Sequence, residues 1–234
     1  VTVPRFDHPE LTSDPQLFVD PGSVPATIPL PVLIEPDHQP PVLDPLDEPL
    51  VEVRDRRLMV VDAYTRAGWA NARPGAWLRE EALSRLLAAV TVLPDEFGLA
   101  IFDAWRPLAL QEELYRAAYR DSGLPPGFVA PPSDSPTEPP PHLTGGTVDC
   151  TLTHSGRPLA LGTGYDDFSP LAHAAAFEDE PGAVRELRRL LFWSMSGAGF
   201  VVLANEWWHF EFGTRRWASI TGQVPRYGPA SPPG

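Results

Sequence analysis

The stretch from residue 201 to 212, V-V-L-A-N-E-W-W-H-F-E-F, limits the possible folds more than any other part of this chain. Its apolar and aromatic content is that of a buried strand. Yet Glu206 and His209 lie inside it. Withdrawing an unpaired carboxylate from water costs on the order of several kcal/mol, so an acid in such a strand has a partner or a task. Residues three apart on a regular strand also point to opposite faces. For Glu206 and His209 to serve one site, the chain must bend near Glu206, at a strand entry or a bulge.

A second stretch, residues 140–152, reads P-P-H-L-T-G-G-T-V-D-C-T-L. A histidine, His142, leads through two glycines to Asp149, which Val148 and Leu152 flank at strand-like spacing. Together the two stretches offer two imidazoles and two carboxylates. Any three can ligate zinc and leave a fourth position for water, the layout of a catalytic rather than a closed structural site. Spacing alone leaves two ligand sets open, one of them with Glu206 as a ligand in place of a histidine. It also leaves the bland reading, since a histidine before a glycine turn is more often structural.

Composition removes several classes of function. The formal charge of −13 argues against a nucleic-acid partner, which needs lysine and arginine in excess. Cys150 is the only cysteine, so no internal disulfide and no Cys₄ zinc site can form. The start, V-T-V-P-R-F-D-H-P-E, has neither a basic opening nor an apolar run, and no stretch approaches ~20 uninterrupted apolar residues. The expectation is a cytoplasmic protein with no signal peptide, no membrane partner and no implied oligomeric state.

Residues 1–49 are rich in proline, which fixes φ and removes donors, so an extended arm wrapping the domain is expected there, with His8 and His38 at its surface. Residues 51–64 read as a strand or hairpin, and 64–75 as a loop. Helices are expected over 79–93, 108–118 and 181–195, where apolar residues recur at helical spacing. Strands are expected over 99–104 and 148–153, with Arg106 just past the end of the first. Residues 123–141 form a proline- and serine-rich loop that reads equally as a pocket wall or as a disordered surface loop. The absence of steady β-α-β alternation points to α+β, a single domain with a central antiparallel sheet flanked by helices. The expected division is an arm (1–49), a catalytic domain (50–220) and a proline-containing tail (221–234).

With these stretches in view, the chain resembles the zinc D-alanyl-D-alanine dipeptidases of the VanX type. The pattern H-x₆-D followed by E-W-W-H is similar to theirs. F-D-A-W-R-P (102–107) resembles the family's D-G-Y-R-P, and L-G-T-G-Y-D (161–166) its M-G-x-x-F-D, in the same order along the chain. The resemblance runs from about residue 58 to residue 217 and implies an α+β fold with one zinc at the open face of the sheet. It implies that His142, Asp149 and His209 hold the metal and that Glu206 is the general base. Arg106 corresponds to the arginine that stabilises the tetrahedral intermediate, and Asp103 in the same stretch is read as orienting it or as capping the local turn. Asp166 corresponds to the aspartate that binds the free amine of a small dipeptide. Tyr64 and Asn71 are candidates for the pocket lining. His154 and His173 are read as structural or as lying behind the ligands, the aromatics around His209 as core, and Cys150 as a small buried hydrophobe pointing away from the metal.

One departure bears on specificity. The family pattern is S-x-H-x-x-G-x-A-x-D, and here Pro140 stands at the serine and Thr147 at the alanine. The serine helps hold the substrate's C-terminal carboxylate, and proline has no hydroxyl and no N–H to offer. Three functions follow: a D-Ala-D-Ala dipeptidase, a related hydrolase turned to another small peptide or amide in a biosynthetic pathway, or a zinc-binding interaction module without catalysis. Glu206 counts against the last, because a binding module has no use for a buried base.

Overall fold

Strand pairing gives a sheet whose middle is a row of polar residues in an otherwise apolar surface. In the computed structural model, residues 6–121 and 127–233 are described. The first five residues of the arm, residues 123–126 of the proline- and serine-rich loop, and Gly234 lie outside them. In chain order the regular elements are β1 (Leu50–Glu52), β2 (Leu58–Val60), α1 (Ala63–Ala67), β3 (Trp77–Arg79), α2 (Glu80–Thr91), β4 (Phe97–Asp103) and α3 (Leu108–Arg116). There follow β5 (Thr147–His154), β6 (Arg157–Pro158), α4 (Ala183–Gly197), β7 (Val201–Leu203), β8 (Glu206–Glu211) and α5 (Arg215–Thr221). The main sheet runs β2-β4-β5-β8-β7, with β6 paired to β5, while β1 and β3 form a separate pair. The architecture is mixed α+β.

Local sequence accounts for most of this. The apolar run of β4 is buried along its length, as a strand covered on both faces requires. On β5, Val148, Cys150 and Leu152 alternate with Asp149 and Thr151, and all five are buried. α2 opens on Glu80 and Glu81, which favour a helix N-terminus, and buries Ala82, Leu86, Ala89 and Val90. α4 packs Leu187, Leu190, Leu191 and Met195 inward. No described helix is long and apolar enough to cross a membrane.

Four expectations change. The sheet is antiparallel across β4, β5, β8 and β7, but β2 joins β4 in parallel. The chain between them, holding α1, β3 and α2, supplies the long crossover that a parallel pair needs. The stretch 201–212 is a hairpin rather than one strand, and Leu203 pairs with Glu206 after a register shift. The bend expected near Glu206 is this tight turn. A further helix, α5, lies just before the proline-containing tail, capped by Thr214, whose side chain accepts from the Trp217 N–H, and ended by Gly222 at φ 69°. His8, expected at the surface, is only 4 % exposed, whereas His38 is exposed as expected.

Residues 6–49 contain three short 3₁₀ turns and no α-helix or strand. They lie against the rest of the molecule through specific contacts. Ser13 bridges to Leu159, Glu35 binds the Arg216 guanidinium with both oxygens, and the Gln39 and Pro40 carbonyls accept from Arg215.

Candidate active site

Register brings the candidate residues together. Asp103 on β4 stands opposite Asp149 on β5, which stands opposite His209 on β8. Paired residues project from the same face, so three sequence-distant side chains form one row. His142 reaches the row from a single 3₁₀ turn, His142–Thr144, just before β5. The glycines that follow allow that approach. Gly145 has φ 73°, and a Cβ there would strike Leu50, while one on Gly146 would strike the Phe212 carbonyl.

One ligand atom from each of His142, Asp149 and His209 lies within 4.8 Å of the others, and all three residues are buried. The neighbours fix the tautomers. His142 Nδ1 lies 2.6 Å from the Ala104 carbonyl, which can only accept, so Nδ1 carries the proton and the Nε2 lone pair faces Asp149 Oδ2 at 3.4 Å. His209 Nε2 lies 3.2 Å from Glu211 Oε1, and its Nδ1 faces Asp149 Oδ1 at 3.0 Å. Asp149 Oδ1 is buried and has no well-aligned donor. Imidazole lone pairs facing a buried carboxylate need a cation between them, and this donor set suits a metal ion. Electrostatics agree for the metal-free protein, in which a proton fills that need. Burial opposes charge on His209, but Asp149 and Glu211 outweigh it and raise its pKa to about 10. Burial would also raise Glu211, yet His209, Arg216 and Thr214 hold it at about 2.

Glu206, the first residue of β8, has Oε2 3.7 Å from His209 Nδ1. It is 7 % exposed, and burial pushes its carboxyl up to about 7, against the charge of His209. A carboxylate poised there can exchange a proton with water at ordinary pH.

Arg106 lies just past β4. Its Nε donates to Asp103 Oδ2 at 2.8 Å, one terminal nitrogen donates to Gln111 at 2.8 Å, and the other reaches the Tyr64 hydroxyl at 3.3 Å and Asp149 Oδ2 at 3.7 Å. Asp103 therefore orients the guanidinium, as the sequence suggests. Asp166 adopts left-handed backbone (φ 56°) and is buried, a strained placement of the kind found at working sites. Its Oδ2 accepts from Tyr64 at 2.8 Å. The loop that carries it is pinned by Arg188, which donates to the Leu161, Leu171 and His173 carbonyls.

These side chains open onto one cavity of about 400 Å³. Tyr64, Arg106, Pro140, His142, Asp149, Asp166, Glu206 and His209 all contribute to its wall. The described part of the proline- and serine-rich loop is a pocket wall, through Gly127–Pro131 and Glu138–Pro141, and the arm adds Phe6 and Gln39. Thr147 and Asn71 stay outside: the buried Thr147 hydroxyl has no partner, and Asn71 is tied to Glu113 on α3. His154 and His173 also lie off the cavity wall. Cys150 is buried on the sheet face away from Asp149, and burial raises its thiol well above the usual range, so it is no nucleophile.

Sequence reasoning missed Glu211 and Tyr165. Glu211 follows His209 by two, the spacing that puts strand residues on one face, so a signal existed. Tyr165 donates to Asp149 Oδ2 at 2.9 Å, and nothing in the pattern beside Asp166 announces that contact.

The family model described as D-Ala-D-Ala dipeptidase, peptidase family M15, matches residues 77–225. A D-alanyl-D-alanine dipeptidase of Synechocystis sp. is 30 % identical over 175 residues, covering 60 % of this chain and 71 % of the relative. One of Escherichia coli is 32 % identical over 136 residues, covering 57 % of this chain and 65 % of that relative. With the match spanning β3 through α5 and every residue of the row described above, this chain belongs to the D-Ala-D-Ala dipeptidase family of peptidases.

Proposed function

We propose that the chain hydrolyses a small dipeptide of the D-Ala-D-Ala type, with one zinc ion per chain held on the open face of the sheet by His142, Asp149 and His209. The observation that carries this reading is the convergence of those three buried residues beside a buried acid, Glu206, whose Oε2 lies 3.7 Å from His209 Nδ1. Zinc, when bound, supplies Lewis acidity, lowering the pKa of a water toward neutrality and polarising the scissile carbonyl. Glu206 takes a proton from the attacking water and passes it to the leaving amine. Its elevated pKa suits both directions of transfer, and a cation at the triad draws it down toward the ionised form. Arg106, fixed by Asp103 and Gln111, presents a charge to the developing oxyanion. Asp166, fixed by Tyr64, receives the substrate's ammonium. On this reading the arm (1–49) closes one side of the site of the catalytic domain (50–220), through Phe6 and Gln39.

Pro140 favours a second reading within the same chemistry, a substrate that lacks a free C-terminal carboxylate or places it elsewhere. Metal analysis and turnover on D,D-, L,D- and L,L-dipeptides test the proposal together. The native protein should carry about one zinc per chain, and His209→Ala should carry far less. A full zinc complement in His209→Ala refutes the ligand set, and absence of turnover on every dipeptide by the zinc-loaded protein refutes the dipeptidase reading.

A further inference from the structure

Tyr165 is fully buried, with its ring stacked on Phe102 at 4.5 Å and 14° and meeting Trp208 edge-on. A phenylalanine, which the family pattern has at this place, would pack as well. The hydroxyl is what needs explaining. It lies 2.9 Å from Asp149 Oδ2 and 3.0 Å from the Tyr64 hydroxyl. Tyr64 in turn lies 2.8 Å from Asp166 Oδ2. A phenol has a single proton to donate, and an ionised carboxylate is the stronger of the two acceptors, so the Tyr165 proton goes to Asp149.

We propose that Tyr165 is a positioning residue that fixes the Asp149 carboxylate for its metal. The inference rests on Asp149 being a zinc ligand. With Oδ2 held by Tyr165, Oδ1 is left without an aligned donor, facing His209 Nδ1, which is the oxygen a cation needs. Arg106 cannot replace the phenol, because its nearest nitrogen is 3.7 Å from Oδ2, beyond hydrogen-bond reach. Removing the hydroxyl therefore frees the carboxylate to turn. Partners behind a metal ligand set its orientation and basicity, and their loss typically weakens metal binding by about 10–100-fold.

Tyr165→Phe deletes the one oxygen and keeps the ring. Zinc affinity is measured by chelator competition on the native protein, Tyr165→Phe, Tyr165→Met and Tyr64→Phe, beside the melting temperature of each metal-free form. Tyr165→Phe should bind zinc about 10–100-fold more weakly while melting within roughly 4 °C of the native protein. Tyr64→Phe removes a hydroxyl that donates to Asp166 and touches no ligand, so it should weaken zinc binding far less. Native zinc affinity in Tyr165→Phe overturns the proposal. So does a loss in Tyr64→Phe as large as that in Tyr165→Phe. If Tyr165→Phe does not fold, native zinc affinity in Tyr165→Met, which also lacks the hydroxyl, overturns it instead. A native protein that takes up no zinc at all fails at the ligand set, a different result from a zinc protein indifferent to Tyr165.

Discussion

Two parts of one cavity wall differ sharply in what they offer a ligand. Around Asp166, polar groups are dense and mutually held: Tyr64, Tyr165, Arg106, Asp103 and Gln111 form a continuous hydrogen-bonded set, nearly all of it out of water. At the turn leading to His142, Pro139, Pro140 and Pro141 line the same cavity and carry no N–H between them. The carbonyls of Pro140 and Pro141 are engaged inward, since the Leu143 and Thr144 N–H groups donate to them. Under the proposed function, the difference bears on which end of a dipeptide is recognised. The proposed ammonium site at Asp166 is built and braced, whereas the turn where the family pattern has a serine cannot donate to a carboxylate.

The largest effect is expected at the group that serves any substrate, whichever region recognises it. Glu206→Ala should retain zinc and lose hydrolysis by about three orders of magnitude or more, read as kcat on the best dipeptide. Ordinary turnover in that variant would make Glu206 structural and leave both regions as parts of a binding site only. Next comes the braced region. Arg106→Ala should lower kcat by roughly 10²–10³-fold, the usual result of deleting one oxyanion partner. A change confined to KM would move Arg106 from the transition state to ground-state binding. The smallest effect sharpens the contrast itself. A hydrogen bond to a charged group contributes about 1.5–3 kcal/mol, so Pro140→Ser should raise kcat/KM for D-Ala-D-Ala by roughly tenfold or more and leave its C-terminal amide nearly unchanged. If native protein already prefers the free acid strongly and Pro140→Ser changes nothing, carboxylate recognition lies elsewhere and the contrast fails.

Much of the site was legible because its chemistry is local. A buried acid and histidine in an aromatic strand announce themselves by being out of place, whereas the histidine before a glycine turn gains weight only beside them and from the family resemblance. Asp103 could be read as orienting Arg106 because the two are three residues apart. What failed to show were contacts between distant segments. His8 reads as a surface histidine in a proline-rich arm, yet the arm's packing buries it. α5 is too short for a clear period, and its cap becomes plain only when Thr214 is seen accepting from Trp217. The parallel β2–β4 pairing depends on the crossover between them, which residue patterns of either strand do not record.

The chain's residues by themselves determined which groups can bind a cation, where the longer helices and the buried strands β4 and β5 lie, and that Pro140 cannot donate, because each of these follows from side-chain chemistry and local period. Only the tertiary structure decided that Asp149 stands opposite His209, that the 204–205 turn swings Glu206 toward them, and that the Tyr165 hydroxyl meets Asp149. The reason is physical: register between strands sixty residues apart is set by packing and hydrogen bonding summed over the whole sheet, and a slip of one residue would turn every side chain of β8 to the other face.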